Sequence, residues 1–196
     1  AQAALAQAGL TVADVGLVAF ATMTPDVTFP GAACFFQHKL GAGTTGAVDL
    51  RGQCAGFLTG LLVADAYLAT GVYRHVLLAA GEVHSSALDY SPAGLSTAEL
   101  YGDGAAVAVL GGRDGAGLEA IVCHADGRHL ERFWIEYPAS RQHPLRITVE
   151  NIRAGLHYPR IDREHVAAFG RQHLPQVVGE ALAQAGVTAA QVDAFL

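Results

Sequence analysis

The sequence predicts an α/β fold on a largely parallel sheet, with more layers than a simple doubly wound domain. Three observations carry that prediction. Short apolar, strand-like runs alternate with helical patterns through the first half of the chain. The helix that follows Cys54 is apolar on nearly every face. The opening of the chain reappears at its end.

The elements follow in order. Residues 1–8 form the end of a helix, and Gly9 suits its C′ position. Thr11 and Asp14 make a short cap ahead of a strand over residues 16–22. Pro25 and Pro30 bracket a loop, and a helix over 31–40 closes at Gly41. Residues 47–50 read as a buried strand, and a helix runs from 55 to 69, with Cys54 on the turn between them. Apolar strands follow at 75–80 and 104–110. The intervening loop, 85–101, is long enough to suggest a functional role. Further on, 118–124 is expected to be a strand, 125–127 a turn, and 131–151 irregular. A helix spans 162–185 with Asp162 as N-cap, and Pro175 predicts a kink or break inside it.

The helix after Cys54 carries a single charge, Asp65, so it is expected to be sandwiched between two layers. The repeat supplies the second half of that picture. Residues 4–19 (ALAQAGLTVADVGLVA) and 181–196 (ALAQAGVTAAQVDAFL) align without a gap at an offset of 177, with nine of sixteen positions identical. Two full copies would need roughly 350 residues. The expected division is therefore 1–114, a first copy carrying Cys54, and 115–196, the start of a second copy that stops inside its first strand.

Composition bounds the function. Hydrophobic residues make up 52% and charged residues 15% of 196, which suits a well-buried globular chain. No apolar run approaches the ~20 residues of a membrane span, so no membrane association is expected. The net charge is −6 with no Lys/Arg cluster, which argues against nucleic acid. Cys34, Cys54 and Cys123 are sparse, odd in number and far apart, which fits a reducing, cytoplasmic setting. No His/Cys spacing marks a metal site, and none is expected.

Cys54 is the leading functional residue. A cysteine at a helix N-terminus meets unpaired N–H groups and the positive end of the helix dipole, which favour the nucleophilic thiolate. On these grounds alone the reading as a small buried apolar residue outweighs the catalytic one.

A family resemblance decides between the two. In order along the chain lie Gly16–Pro25 (GLVAFATMTP), Phe29–Cys34 (FPGAAC), Asp49–Phe57 (DLRGQCAGF), Val63–Asp65 (VAD), Gly81–Val83 (GEV), Tyr101–Ala105 (YGDGA), His124–Gly127 (HADG) and His157–Arg160 (HYPR). In joint order and spacing the sequence resembles the thiolase-fold condensing enzymes, and within them β-ketoacyl-acyl-carrier-protein synthase III.

The resemblance implies a thiolase fold: five layers, αβαβα, with two duplicated halves, incomplete in this chain. It implies a homodimer and a transferase of fatty acid or polyketide biosynthesis. Cys54 would be acylated by an acyl-CoA. Decarboxylative Claisen condensation with malonyl-acyl-carrier protein would then give a β-ketoacyl product, with no cofactor beyond these substrates. The Cys54 N–H would form part of an oxyanion hole. Phe29 matches a position that lines the dimer partner's acyl pocket, and His84 one that contacts the acyl chain. Cys34 and Cys123 are expected to be packed, inert thiols.

The family's catalytic His and Asn would follow Phe195 and Leu196, and none of the nine histidines present matches them. Two departures remove positive charge that the family uses toward its anionic substrates. Ala93 stands where an arginine is common, and residues 164–168 (EHVAA) replace a segment that often contains Val-Phe-Lys. Two other readings are therefore carried: acyl transfer to an alcohol or amine in a specialised pathway, and a non-catalytic thiolase-fold partner.

Overall fold

A computed structural model describes residues 1–112 and 117–195. The expected division between residues 114 and 115 lies outside the described residues. In chain order the elements are α1 (Gln2–Gln7), β1 (Leu17–Ala21), α2 (Ala32–Leu40), β2 (Gly46–Leu50), α3 (Gly56–Ala69), β3 (His75–Glu82), α4 (Leu95–Ala98), β4 (Gly104–Gly111), β5 (Phe133–Trp134), α5 (Val149–Arg153), β6 (Arg160–Ile161) and α6 (Arg163–Ala185). They form two compact units, Ala1–Val83 with Asp103–Cys123, and His84–Gly102 with His124–Leu196.

The first unit is built on a four-stranded sheet in the order β2-β1-β3-β4. β1 runs parallel to both neighbours, in register from Leu17↔Gly46 to Ala21↔Leu50 and from Leu17↔Val76 to Ala21↔Ala80. β4 returns antiparallel to β3. Side-chain alternation divides the core in two. Val18 and Leu77 pack with Leu5, Val15 and Ala33, against α1 and α2. Leu17, Ala19, Val76 and Leu78 pack with Ala64, against α3. Both faces of the central strands are covered, which is why β1 and β3 read as continuous apolar runs.

α3 departs from the expectation of burial on every side. Gly56, Gly60 and Ala64 are buried against the sheet. Leu58, Leu62 and Tyr67 are 53%, 42% and 39% exposed. All-round burial needs a second layer, and the residues of this unit cover one side only.

The repeat is structural as well as textual. Gly9 and Gly186 both take positive φ, 67° and 69°, at the end of a helix. Such a conformation is cheap for glycine alone. Thr11 then donates its N–H and hydroxyl to Asp14 at 2.8 and 2.7 Å, leading a 3-10 turn, Val12–Asp14. At the same offset Thr188 donates both groups to Gln191 at 2.9 and 2.8 Å, leading Ala189–Gln191. The acceptor changes from carboxylate to amide, but one side-chain oxygen does the same work.

The second unit contains α4, α5, α6 and the β5–β6 pair. Asp162 caps α6 by accepting the His165 N–H at 3.1 Å, and α6 runs through Pro175 to Ala185 with no break. Of the expected kink or break, the break is absent, although proline removes one helical hydrogen bond. Residues 118–124 are not a strand, since none of them enters either sheet. An isolated apolar run has no ladder to join.

Exposed and half-buried carboxylates in both units have pKa values below the ordinary range. The Thr11 N–H lowers Asp14, the Ser91 N–H lowers Asp89, and the His165 N–H lowers Asp162. The Arg128 side chain lowers Asp126, and His124 lowers Glu180. A depressed carboxylate pKa stabilises the folded chain above the unfolded value, about pH 4, and that contribution is lost as pH falls through the folded value. Thermal melts of the full-length protein are therefore expected to weaken progressively below about pH 4. An Asp126→Asn, Asp162→Asn pair should flatten that dependence, and an unchanged slope would contradict it.

Candidate active site

The carboxyl ends of the parallel strands are where α/β sheets build sites, and β1, β2 and β3 deliver three segments there. After β2, the chain passes through Arg51 and Gly52 into a 3-10 turn, Gln53–Ala55, and then into α3. Cys54 stands in that turn, immediately ahead of a 14-residue helix with no side-chain N-cap, and it is exposed. The thiol is thus two residues from the N-terminus of α3, where the helix dipole is positive.

The turn is held tightly. Gln53 has φ of +47°, the single non-glycine residue with positive φ among the described residues. Left-handed backbone in a side-chain-bearing residue is strained by roughly 1–3 kcal/mol, and such residues cluster at functional sites. A Cβ on Gly52 would fall 2.8 Å from Thr59 Oγ1, whose hydroxyl donates to Ala55 O at 3.0 Å. A Cβ on Gly56 would fall 3.2 Å from the Ala21 Cβ, so the start of α3 rests on the end of β1. Gln53→Gly is expected to keep stability and any Cys54 reactivity. Gln53→Val, β-branched and disfavoured at positive φ, should lower stability by about 1–3 kcal/mol. Urea melts check this, and equal stability of the two variants would contradict it.

After β1, the segment 22–24 is fastened to the end of β3. The Glu82 carboxylate accepts the Met23 N–H at 2.9 Å, the Thr24 hydroxyl at 2.7 Å and the Thr22 hydroxyl at 3.4 Å. The Val83 N–H donates to Thr24 Oγ1 at 2.9 Å, and the Thr22 N–H donates to Leu50 O at 3.2 Å. Nearby, Asp49 in β2 accepts the Ala33 N–H at 3.0 Å and so caps α2. Neither Glu82 nor Asp49 was distinguishable as a structural hub from composition or periodicity. The available signals were a glutamate closing an apolar strand, a Thr-x-Thr after another, and an acid inside a third.

The other expected site residues are placed as follows. Phe29 lies in the first unit, on the loop before α2, and is 83% exposed. His84 lies in the second unit, half-buried, with its ring 4.7 Å from Tyr101. Cys34 and Cys123 are exposed, not packed as expected. Cys34 is exposed on α2, whose contact with the core is made by Ala33, Phe36 and Leu40. Among the described residues no group of three His, Cys, Asp or Glu side chains could hold a metal ion, and no helix is long and apolar enough to cross a membrane.

With this geometry in hand, known proteins give a consistent comparison. The sequence profile of the 3-oxoacyl-[acyl-carrier-protein] synthase III family matches residues 48–127, the stretch that contains Cys54. The β-ketoacyl-[acyl-carrier-protein] synthase III of Natranaerobius thermophilus is 33% identical over 201 residues, covering 100% of this chain and 59% of that protein. A crystal structure of a 3-oxoacyl-(acyl-carrier-protein) synthase III superposes with a TM-score of 0.83 at 30% identity, over 97% of this chain and 59% of the other. The priming β-ketosynthase from the R1128 polyketide biosynthetic pathway gives 0.81 at 30% identity, over 96% and 54%. The chain thus spans a little over half the length of the proteins it matches.

Proposed function

We propose that the chain, similar over residues 48–127 to the 3-oxoacyl-[acyl-carrier-protein] synthase III profile and to relatives with the thiolase-type α/β fold, is a member of that family, and that Cys54 is the acyl-accepting nucleophile of a condensing acyltransferase. The observation that carries this reading is the exposed Cys54 on a strained turn at the head of α3. The Cys54 sulfur attacks the carbonyl carbon of an acyl-CoA thioester, the carbon–sulfur bond to CoA breaks, and CoA leaves as its thiol. Malonyl-acyl-carrier protein then loses carbon dioxide. The electron pair of the broken carbon–carbon bond attacks the acyl-enzyme carbonyl, releasing a β-ketoacyl product and the Cys54 thiolate. The Cys54 N–H, at the head of α3, contributes a donor for the developing oxyanion. Phe29 and His84 are the acyl-contacting candidates, the protein works as a cytoplasmic homodimer, and no metal or further cofactor enters.

Incubating the full-length protein with a panel of acyl-CoAs tests the reading by intact mass. A gain equal to the acyl group, mapped to Cys54, is expected. No gain with any acyl-CoA would leave the non-catalytic reading. Adding malonyl-acyl-carrier protein to the loaded enzyme then separates condensation, which yields a β-ketoacyl product and carbon dioxide, from transfer to an alcohol or amine. The similarity to the priming β-ketosynthase of the R1128 polyketide biosynthetic pathway favours including polyketide starter thioesters in the panel.

A further inference from the structure

We propose that Glu82 is a positioning residue for acyl transfer at Cys54, acting through the segment 22–24. The inference rests on the reading of Cys54 as the nucleophile. It assigns Glu82 no contact with the acyl group, only the placement of the turn that carries the thiol.

Two consecutive residues at the end of β1 meet the Cys54 turn on both sides. The Thr22 N–H donates to Leu50 O at 3.2 Å, four residues before Cys54. Ala21 lies against Gly56, two residues after it: a Cβ on Gly56 would fall 3.2 Å from the Ala21 Cβ. A shift at the end of β1 is therefore passed to the turn.

β1 itself stops at Ala21, so the residues that follow need acceptors outside the ladder. Glu82 supplies them. It is the last residue of β3 and is paired with Gly104 of β4, which fixes its backbone. Its half-buried carboxylate accepts the Met23 N–H and the hydroxyls of Thr24 and Thr22. Thr22 Oγ1 in turn accepts the Thr24 N–H at 3.0 Å, and Thr24 Oγ1 accepts the Val83 N–H. Hydrogen bonds to an ionised acceptor are roughly twice as strong as neutral ones. Removing one carboxylate therefore frees three donors together, directly beside the residues that hold the turn. A misplacement of about 1 Å costs a reacting group up to about a hundredfold in rate.

Single-turnover loading of the full-length protein by an acyl-CoA, read by intact mass over a range of concentrations, tests it. Glu82→Ala is expected to lower the maximal loading rate about tenfold to a hundredfold, with the half-saturating concentration and the final loaded fraction unchanged. A role in stability alone would lower the loaded fraction and leave the rate of the folded molecules as it was. Glu82→Gln keeps the length and an acceptor oxygen for the Met23 N–H, so it should recover most of the rate. Should Glu82→Ala fail to fold, Thr24→Val, which keeps the shape and removes the hydroxyl, should slow loading about threefold or more. Hydrogen exchange reads the turn without any chemistry: the Ala55 N–H, which donates to Gly52 O at 3.1 Å, should exchange several-fold faster in Glu82→Ala. If no acyl-CoA loads the parent, the nucleophile reading falls, and exchange alone decides whether Glu82 positions the turn. Unchanged exchange at Ala55, an unchanged loading rate in Glu82→Ala, or a loss that Glu82→Gln does not recover overturns the proposal.

Discussion

Cys54→Ser is expected to abolish acyl loading of the full-length protein, lowering it by about 10³-fold or more. Serine keeps nearly the same volume and leaves the Gln53–Ala55 turn intact, so folding should be unaffected. What it loses is nucleophilicity: a hydroxyl is far from ionised near neutrality, whereas a thiol is partly so. The result is informative because the chain has three cysteines and all three are exposed. Exposure alone therefore does not single out Cys54. Cys34→Ser and Cys123→Ser, read in the same intact-mass assay, should load as the parent does. If loading persists in Cys54→Ser and disappears in either of the others, the nucleophile has been misassigned.

The contrast among these cysteines shows what was legible in the sequence. Local signals carried far: Gly9 and Gly41 end helices with positive φ, and Thr11 and Asp162 cap them. Those devices act within four residues, so spacing reveals them. The repeat was legible for the same reason, because Thr188 and Gln191 rebuild the Thr11–Asp14 contact within four residues. What escaped was non-local. Glu82 holds Thr22, Met23 and Thr24 across some sixty residues of chain, and no periodicity records such a contact. The exposed side of α3 was hidden likewise: an all-apolar helix states how much surface it can bury, but which sides are covered depends on neighbouring layers. Pro175 misled in the opposite direction, since a local rule against proline yielded to the rest of a 23-residue helix.

The seating of α3 on the sheet leads to the second large effect. Gly60 lies fully against β3: a Cβ there would fall well inside contact distance of Leu78 Cδ1 and 3.1 Å from its Cδ2. Leu78 is completely buried, with Ala64 one turn further along the same helix side. Gly60→Val therefore forces a branched side chain into filled space, and the cost is about 1–3 kcal/mol of stability or a displaced helix. Displacement would also reach the nucleophile, because α3 begins two residues after Cys54 and its first residue rests on Ala21. Gly60→Val should consequently lower both the melting temperature and the rate of acyl loading. Leu78→Ala alone should cost about 2–5 kcal/mol by leaving a cavity. Combined, the two changes should cost less than the sum of the single effects, because valine fills part of the space that leucine vacates. Additive losses in urea melts would show that Gly60 and Leu78 do not share that space. Unchanged loading in Gly60→Val would show that the Cys54 turn is held by Gln53 and Gly52 without help from the position of α3.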